Sequence, residues 1–555
     1  MNKTHAAPRI ALAVCLAALA ALATVANATT DGTSPPERLG TVAFPVSCSP
    51  AVQADFNRGV ALLHDFWYEE ARPQFERILK KDPGCAMAHW GIAMSGFHQI
   101  WYRPDDAAMA AGWRELQGAQ AKPPKTARER EYIAALADFF RPGKTEFQAR
   151  IDHYASAMGT LYQHYPEDVD AGAFSALAVL AAVNPDDTSL TQEHKAMGVL
   201  DALWKKAPDN PGVVHYIIHA CDTPSMAADG LVAARHYGEI AASGPHAVHM
   251  PGHIFARLGL WQEDIDSNLA SVAASDAAEK RGENGWMDQF HSDDFLVYAY
   301  LQSGQETRAR EIAAAAQRAL DQHEGMAKMM TDLQMAAMFP YYRVKFPIFI
   351  ALETRDWNAL QTIQPIKDAS PDTQTQVYWA RAIADGQLHQ GPAARNDLAG
   401  FDALIDAVKK GDHAYYAQGV GVQIRRTQIL AWVAFANGDT VEAMKQMRAS
   451  ADLQDKVGQG EVDIPAREML ADILLESGHA QSALIEYKRA LKLSPNRFNG
   501  LYNAGKAAEA LSNPGEARAY YASLLKATAN GARSSRPEIQ HARDFVATTK
   551  TASAQ

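Results

Sequence analysis

Only four of the 555 residues are cysteine, and no Cys-x-x-Cys-His haem attachment occurs among them. No Gly-x-Ser-x-Gly elbow is present, so a serine hydrolase of that design is excluded. After the N-terminus no apolar run is long enough to cross a bilayer. Residues do not alternate apolar and polar for long, which argues against a sheet. Charged residues make up 21% of the chain, with 53 basic against 64 acidic and no Lys/Arg-rich stretch. The net charge of −11 therefore excludes a nucleic-acid partner and favours solubility. The string Gly500-Leu-Tyr-Asn-Ala-Gly-Lys506 imitates a phosphate loop. Ala507 stands where the metal-binding hydroxyl belongs, however, and no strand precedes it.

The N-terminus is the one long apolar stretch. Lys3 and Arg9 precede a run from Ile10 to Val25, which ends in Ala26-Asn27-Ala28. A basic region, a short apolar core and a small-x-small end form a secretory signal, with cleavage expected after Ala28. The expected location is periplasmic or secreted, with no stable membrane insertion after cleavage. Cys15 leaves with the signal, so Cys48, Cys85 and Cys221 remain, an odd number allowing at most one internal bridge. Cys48 and Cys85 each precede the first helix of a repeat. Such helices start side by side, so these two are the expected pair.

What the sequence has in place of sheets and loops is an internal period. Leu470, Ala471, Leu474, Gly478, Ala483, Tyr487 and Ala490 mark two amphipathic helices with a turn near Gly478. Thirty-four residues on, Ala504, Gly505, Ala508, Ser512, Ala517, Tyr521 and Leu524 repeat the pattern. Small residues return where two helices approach closely, and Tyr returns where a large ring fills the gap. Gly59, Leu62, Ala71, Phe75, Ile78 and Pro83 follow the same spacing near the start; Gly304/Ala309 and Gly438/Ala443 are degenerate copies. The fold class expected is all-α: tetratricopeptide-type helix–turn–helix repeats stacked into a right-handed solenoid with a concave groove. The expected organisation is a signal peptide (1–28), an unstructured linker (29–45), a degenerate repeat array (46–460), two well-formed repeats (461–530), and a C-terminal helix and tail (531–555).

Several strings carry a narrower likeness: Leu63-His-Asp-Phe-Trp-Tyr, Cys85-Ala-Met-Ala-His-Trp-Gly, His246-Ala-Val-His-Met-Pro-Gly-His-Ile-Phe, Pro465-Ala-Arg-Glu and Pro495-Asn-Arg-Phe-Asn-Gly-Leu-Tyr. From about residue 44 to about residue 527 the chain resembles the tetratricopeptide repeat family, and within it a group of exported bacterial proteins of unassigned function. The resemblance implies fold and location; it carries over no catalytic residues. Leu453–Val462 departs from the His- and Pro-richer segment of that group.

Histidine is the other excess. Of nineteen histidines six fall in residues 215–253, where uniform scattering would place one or two. His215 and His219 share a helix face, with Asp222 three residues on. His246, His249 and His253 are spaced three and four apart, although Pro251 interrupts that turn. His291 and Asp294 lie one hairpin later. Hairpins that stack bring such faces together, so His215, His219, His249, His253 and His291 are candidate ligands for zinc, copper or another divalent ion. Asp222, Asp294 and His246 are additional candidates as ligands or outer acceptors. His215-Tyr-Ile-Ile-His219 lacks the Glu of a zinc protease. The alternative is a polar network that only fixes hairpin register. The function expected is a scaffold whose groove binds a protein, peptide or small ligand; the alternative is a metal-dependent enzyme or metal-handling protein that uses this cluster.

Overall fold

The computed structural model describes residues 37–100, 103–184, 187–283, 285–327, 333–410, 414–460, 462–531 and 534–552. The signal sequence expected at 1–28 lies outside them. The main body runs from Leu39 onward. Every extended regular element among its described residues is an α-helix, and nearly every helix packs on the next along the chain. No described helix is long and apolar enough to cross a membrane.

The repeat is visible in the turns. Gly478 has φ +81° and Ser512 has φ +54°, and Gly304, Gly438, Gly259, Arg355, His389 and Phe66 share this left-handed conformation. Each lies one or two residues past the end of a helix, and the same two hydrogen bonds surround it. Gly478 N–H donates to the Leu475 carbonyl and His479 N–H to Leu474; Ser512 donates to Glu509 and Asn513 to Ala508. This is the Schellman closure, which satisfies the last carbonyls of the first helix and turns the chain into the second. The spacing from Gly478 to Ser512 is the expected 34 residues. Between the two helices of the last repeat, a Cβ on Gly505 would lie 2.4 Å from the Tyr521 ring, so only glycine fits. Each hairpin then covers its neighbour: helix Pro371–Gln387 packs both on its partner Gly391–Val408 and on Val420–Ala436 of the next hairpin. An all-α stack of helical hairpins is therefore the architecture.

Two features depart from the sequence reading. The second half of the stretch 29–45 is not a loose linker. Gly40 N–H donates to the Ile240 carbonyl (2.9 Å) and Thr41 N–H to Asp209 (2.8 Å). Leu39 and Phe44 are buried, the Phe44 ring lying 5.0 Å from that of Tyr132. Composition hid this because two apolar side chains suffice to anchor a segment that is otherwise polar. Just beyond, Cys48 and Cys85 are joined, with Cα atoms 4.9 Å apart.

The second departure is that the last repeats return to the middle of the chain. Trp261 Nε1 donates to the Asn496 carbonyl (2.9 Å), and Phe498 N–H to Gln302 Oε1 (2.9 Å). Buried Arg497 pairs with Glu353 (2.8 Å) and Glu468 (2.9 Å) and donates to Tyr298. The apolar core is accordingly in two parts, one reaching from Leu39 to Ala278 and one from Ala256 to Ala542. The histidines gather where these parts meet.

Candidate metal centre

Five helices supply the site: α1 (Gln53–His64), α2 (Pro211–Cys221), α3 (Pro245–His249), α4 (Pro251–Leu258) and, across from them, α5 (Trp286–Gln302). Helix α2 starts firmly, with Pro211 at its first position and the Asn210 side chain accepting from Val213 N–H (3.2 Å). His215 and His219 follow one turn apart. Pro251 does break the next helix, and α3 ends at His249. Met250 keeps a helical backbone (φ −52°, ψ −36°), and His253 N–H reaches back only three residues, to Met250. The tightened turn keeps His249 and His253 on one face, with their Nε2 atoms 3.0 Å apart.

The histidines form two triads. His215, His219 and His246 each offer one nitrogen within 4.8 Å of the others, and so do His249, His253 and His291. His246 and His249, three residues apart on α3, place one ring in each triad at a centroid distance of 5.9 Å. The sequence suggested one site of three or four nitrogens; the structure gathers all six into two adjoining groups.

Outside each triad an acceptor holds the ring. His215 Nδ1 donates to the His64 carbonyl (2.6 Å), and the ring can approach because α2 carries Gly212, whose absent Cβ would fall 2.2 Å from His64 Nδ1. His249 Nδ1 meets Asn268 Oδ1 (2.6 Å), while Asn268 Nδ2 donates to the Asp264 carboxylate (2.7 Å) and carbonyl (2.9 Å). That network makes Asn268 Oδ1 the acceptor and puts the proton on His249 Nδ1. His253 Nδ1 donates to Asp222 Oδ2 (2.9 Å), whose other oxygen accepts from Arg257 Nε (2.9 Å). With both outer nitrogens protonated, the two inner Nε2 atoms turn their lone pairs toward one another. Only a positive centre, a metal ion or a shared proton, makes such a 3.0 Å approach favourable.

Burial favours the neutral form of His215, His246 and His291. Burial pushes His215 well below the ordinary histidine range, and neighbouring His219 adds to the effect. Burial does the same to His246, reinforced by His215 and His249. His291 falls to about 3, through burial and then the charges of His253 and Lys345. Neutral imidazole is the form that binds metal. Burial works against the Asp222 carboxyl, yet Arg257 and His253 hold it well below the usual carboxylate range. Each triad also has a phenylalanine wall. Phe66 lies 4.4, 5.4 and 5.7 Å from the rings of His215, His219 and His246. Phe295 lies 4.8, 4.8 and 5.4 Å from those of His249, His253 and His291.

One side is open. His291 lines a cavity of about 890 Å³ bounded by Tyr341, Lys345, Trp379, Arg425 and the segment around Gly458 and Gly460. Its cations are matched locally, Lys345 by Asp294 and Arg425 by Asp372 (2.6 Å). Asp294 thus turns to Lys345 and belongs to neither triad. Asp222 is the outer acceptor of His253. Cys221 is a buried free thiol whose acidity burial suppresses, pushing it up to about 12.

Sequence reasoning missed Phe66, Asn268, Arg257 and Phe295. It read His64, with His89 and His98, mainly as amphipathic packing of the first hairpins, whereas the His64 carbonyl accepts from His215 Nδ1. Phe66 lies in the string Leu63-His-Asp-Phe-Trp-Tyr, whose only signal was the family likeness; Asn268 gave none. Comparison with known proteins adds little. No family model matches the chain, and no curated protein matches it. Among solved structures it is similar to the TPR domain of P58(IPK), at 12% identity over 83% of this chain and 98% of that one, with a TM-score of 0.19. A likeness at that score carries no weight, and the helical-repeat description rests on the turns and packing above.

Proposed function

We propose that this protein is a metal-dependent enzyme: His249, His253 and His291 hold a zinc or copper ion that acts on a small organic ligand in the adjoining cavity. The approach of His249 Nε2 and His253 Nε2 to 3.0 Å, with both outer nitrogens committed to acceptors, carries this reading. Three imidazoles leave a coordination position for water or ligand, the arrangement of catalytic rather than closed structural sites. His291 is both a ligand candidate and part of the cavity wall, so a bound molecule reaches the ion directly. The helical stack serves as the scaffold that brings α2, α3, α4 and α5 together. Large exposed apolar side chains among the described residues are Val232, Leu269, Val441 and Ile485, one on each of four helices, which favours a small ligand over a docked protein.

The reading includes export. The N-terminal signal pattern supports it, and so does the Cys48–Cys85 bridge, which suits an oxidising compartment. The mature chain is expected to begin at Thr29. The test is elemental analysis of the mature protein, purified without chelator or affinity metal, beside His249→Ala and His253→Ala. Metal in the parent and its loss from both folded variants supports the reading. A metal-free parent that takes up neither zinc nor copper on dialysis leaves a proton-sharing histidine network and overturns it.

A further inference from the structure

The second triad is not needed for the site facing the cavity, yet it has the same construction. His215 is fully buried, its Nδ1 is spent on the His64 carbonyl, and its Nε2 has no hydrogen-bond partner. A buried imidazole nitrogen left this way costs free energy unless something binds it. His219 and His246 bring their nitrogens within 4.8 Å of it, and the Phe66 ring packs on all three. Phe66 holds this place with φ +55°, a conformation disfavoured for a bulky side chain, at the Schellman turn after α1. The turn therefore ties the wall of the triad to the repeat itself. On α3, His246 and His249 hand one ring to each triad.

Resting on the metal reading above, we propose that His215, His219 and His246 bind a second ion, and that the two ions form a pair close enough to share one small bridging anion. Neither triad contains a carboxylate, so the protein supplies six neutral donors and no charge to separate two cations. Two dications at a given distance repel four times as strongly as two monocations. A bridging anion or a monovalent state relieves this, and imidazole with a dry aromatic wall suits cuprous ion. Asp288, whose Oδ1 lies 3.8 Å from His246 Nδ1, is not one of the three nitrogen donors of the second triad.

The experiment uses the full mature chain and copper. Anaerobic titration of metal-free protein with cuprous ion, against a chromophoric chelator, is expected to give two tightly held ions per chain. The cupric form, with azide as bridging probe, is expected to lose most of its electron paramagnetic resonance signal through coupling. His219→Gln and His215→Gln, each checked for folding by circular dichroism, are expected to hold one ion and to show the full signal of an isolated centre. One ion in the parent that survives both substitutions but is lost in His253→Ala overturns this inference and leaves the first site standing. Two ions with no coupling in azide overturn the pairing. No bound copper in the parent overturns this inference, and the proposed function falls with it when zinc is not taken up on dialysis either.

Discussion

Replacing Asp222 by Asn removes one negative charge from a carboxylate that accepts from His253 Nδ1 and Arg257 Nε, both at 2.9 Å. The pair is largely sheltered, with side-chain exposures of 18% for Asp222 and 9% for Arg257. Breaking a well-buried ion pair by removing one partner costs about 3–5 kcal/mol. Asn keeps one acceptor, and the remaining exposure screens part of the charge, so a loss of about 2–3 kcal/mol in unfolding free energy is expected. The metal responds separately. Without the carboxylate His253 is a weaker donor and its ring is no longer held, an outer-sphere loss that typically weakens metal binding 10- to 100-fold, or about 1.4–2.7 kcal/mol. Chelator competition on parent and variant reads the second quantity, and urea denaturation of the metal-free forms reads the first. Unchanged metal affinity in a destabilised variant would refute the role given to Asp222 in orienting His253.

Acid should destabilise the metal-free protein. His215, His246 and His291 have folded pKa values below the ordinary 6.5, so the unfolded chain binds more protons as pH drops below that value. Stability is therefore lost from about pH 6.5 downward until the folded-state values are reached, near 3 for His291, at about 1 kcal/mol per buried histidine between pH 7 and 5.5. Thermal melts at those two pH values check this, and His215→Gln should flatten the dependence. Arg497→Ala strands Glu353 and Glu468, both buried, and should cost about 3–5 kcal/mol in urea denaturation; a near-neutral effect would contradict the locking of the last repeats onto the middle. Removing the bridge with Cys48→Ser and Cys85→Ser frees a loop spanning a separation of 37 residues. The expected loss is about 4 kcal/mol by chain entropy, measured as the denaturation midpoint of the double variant.

Much of this was legible in the sequence, and the limits have physical causes. The hairpins could be read because a close helix approach demands a small residue such as Gly505, and a left-handed turn favours a residue such as Gly478. The pairing of His249 with His253 followed from spacing, and Pro251 altered the helix without separating them. The division into two triads was not legible. It depends on the register in which α2, α3 and α5 stack, and on which nitrogen of each ring an outside acceptor claims. The cavity was hidden for a related reason. The segment around Gly458 lines it, and Arg257, more than two hundred residues earlier in the chain, donates to the Gln459 carbonyl there. Contacts of that sequence separation arise only because the last repeats return to the middle, which buried Arg497 makes possible. The open groove expected from simple stacking misses that return.

The most direct test of the central claim is an anomalous difference map, at the zinc and copper absorption edges, from crystals of the mature protein purified without chelator. The account predicts a peak about 2.0–2.1 Å from nitrogens of His249, His253 and His291. A map with no peak at that triad, from metal-supplemented crystals with the three rings in place, would contradict it.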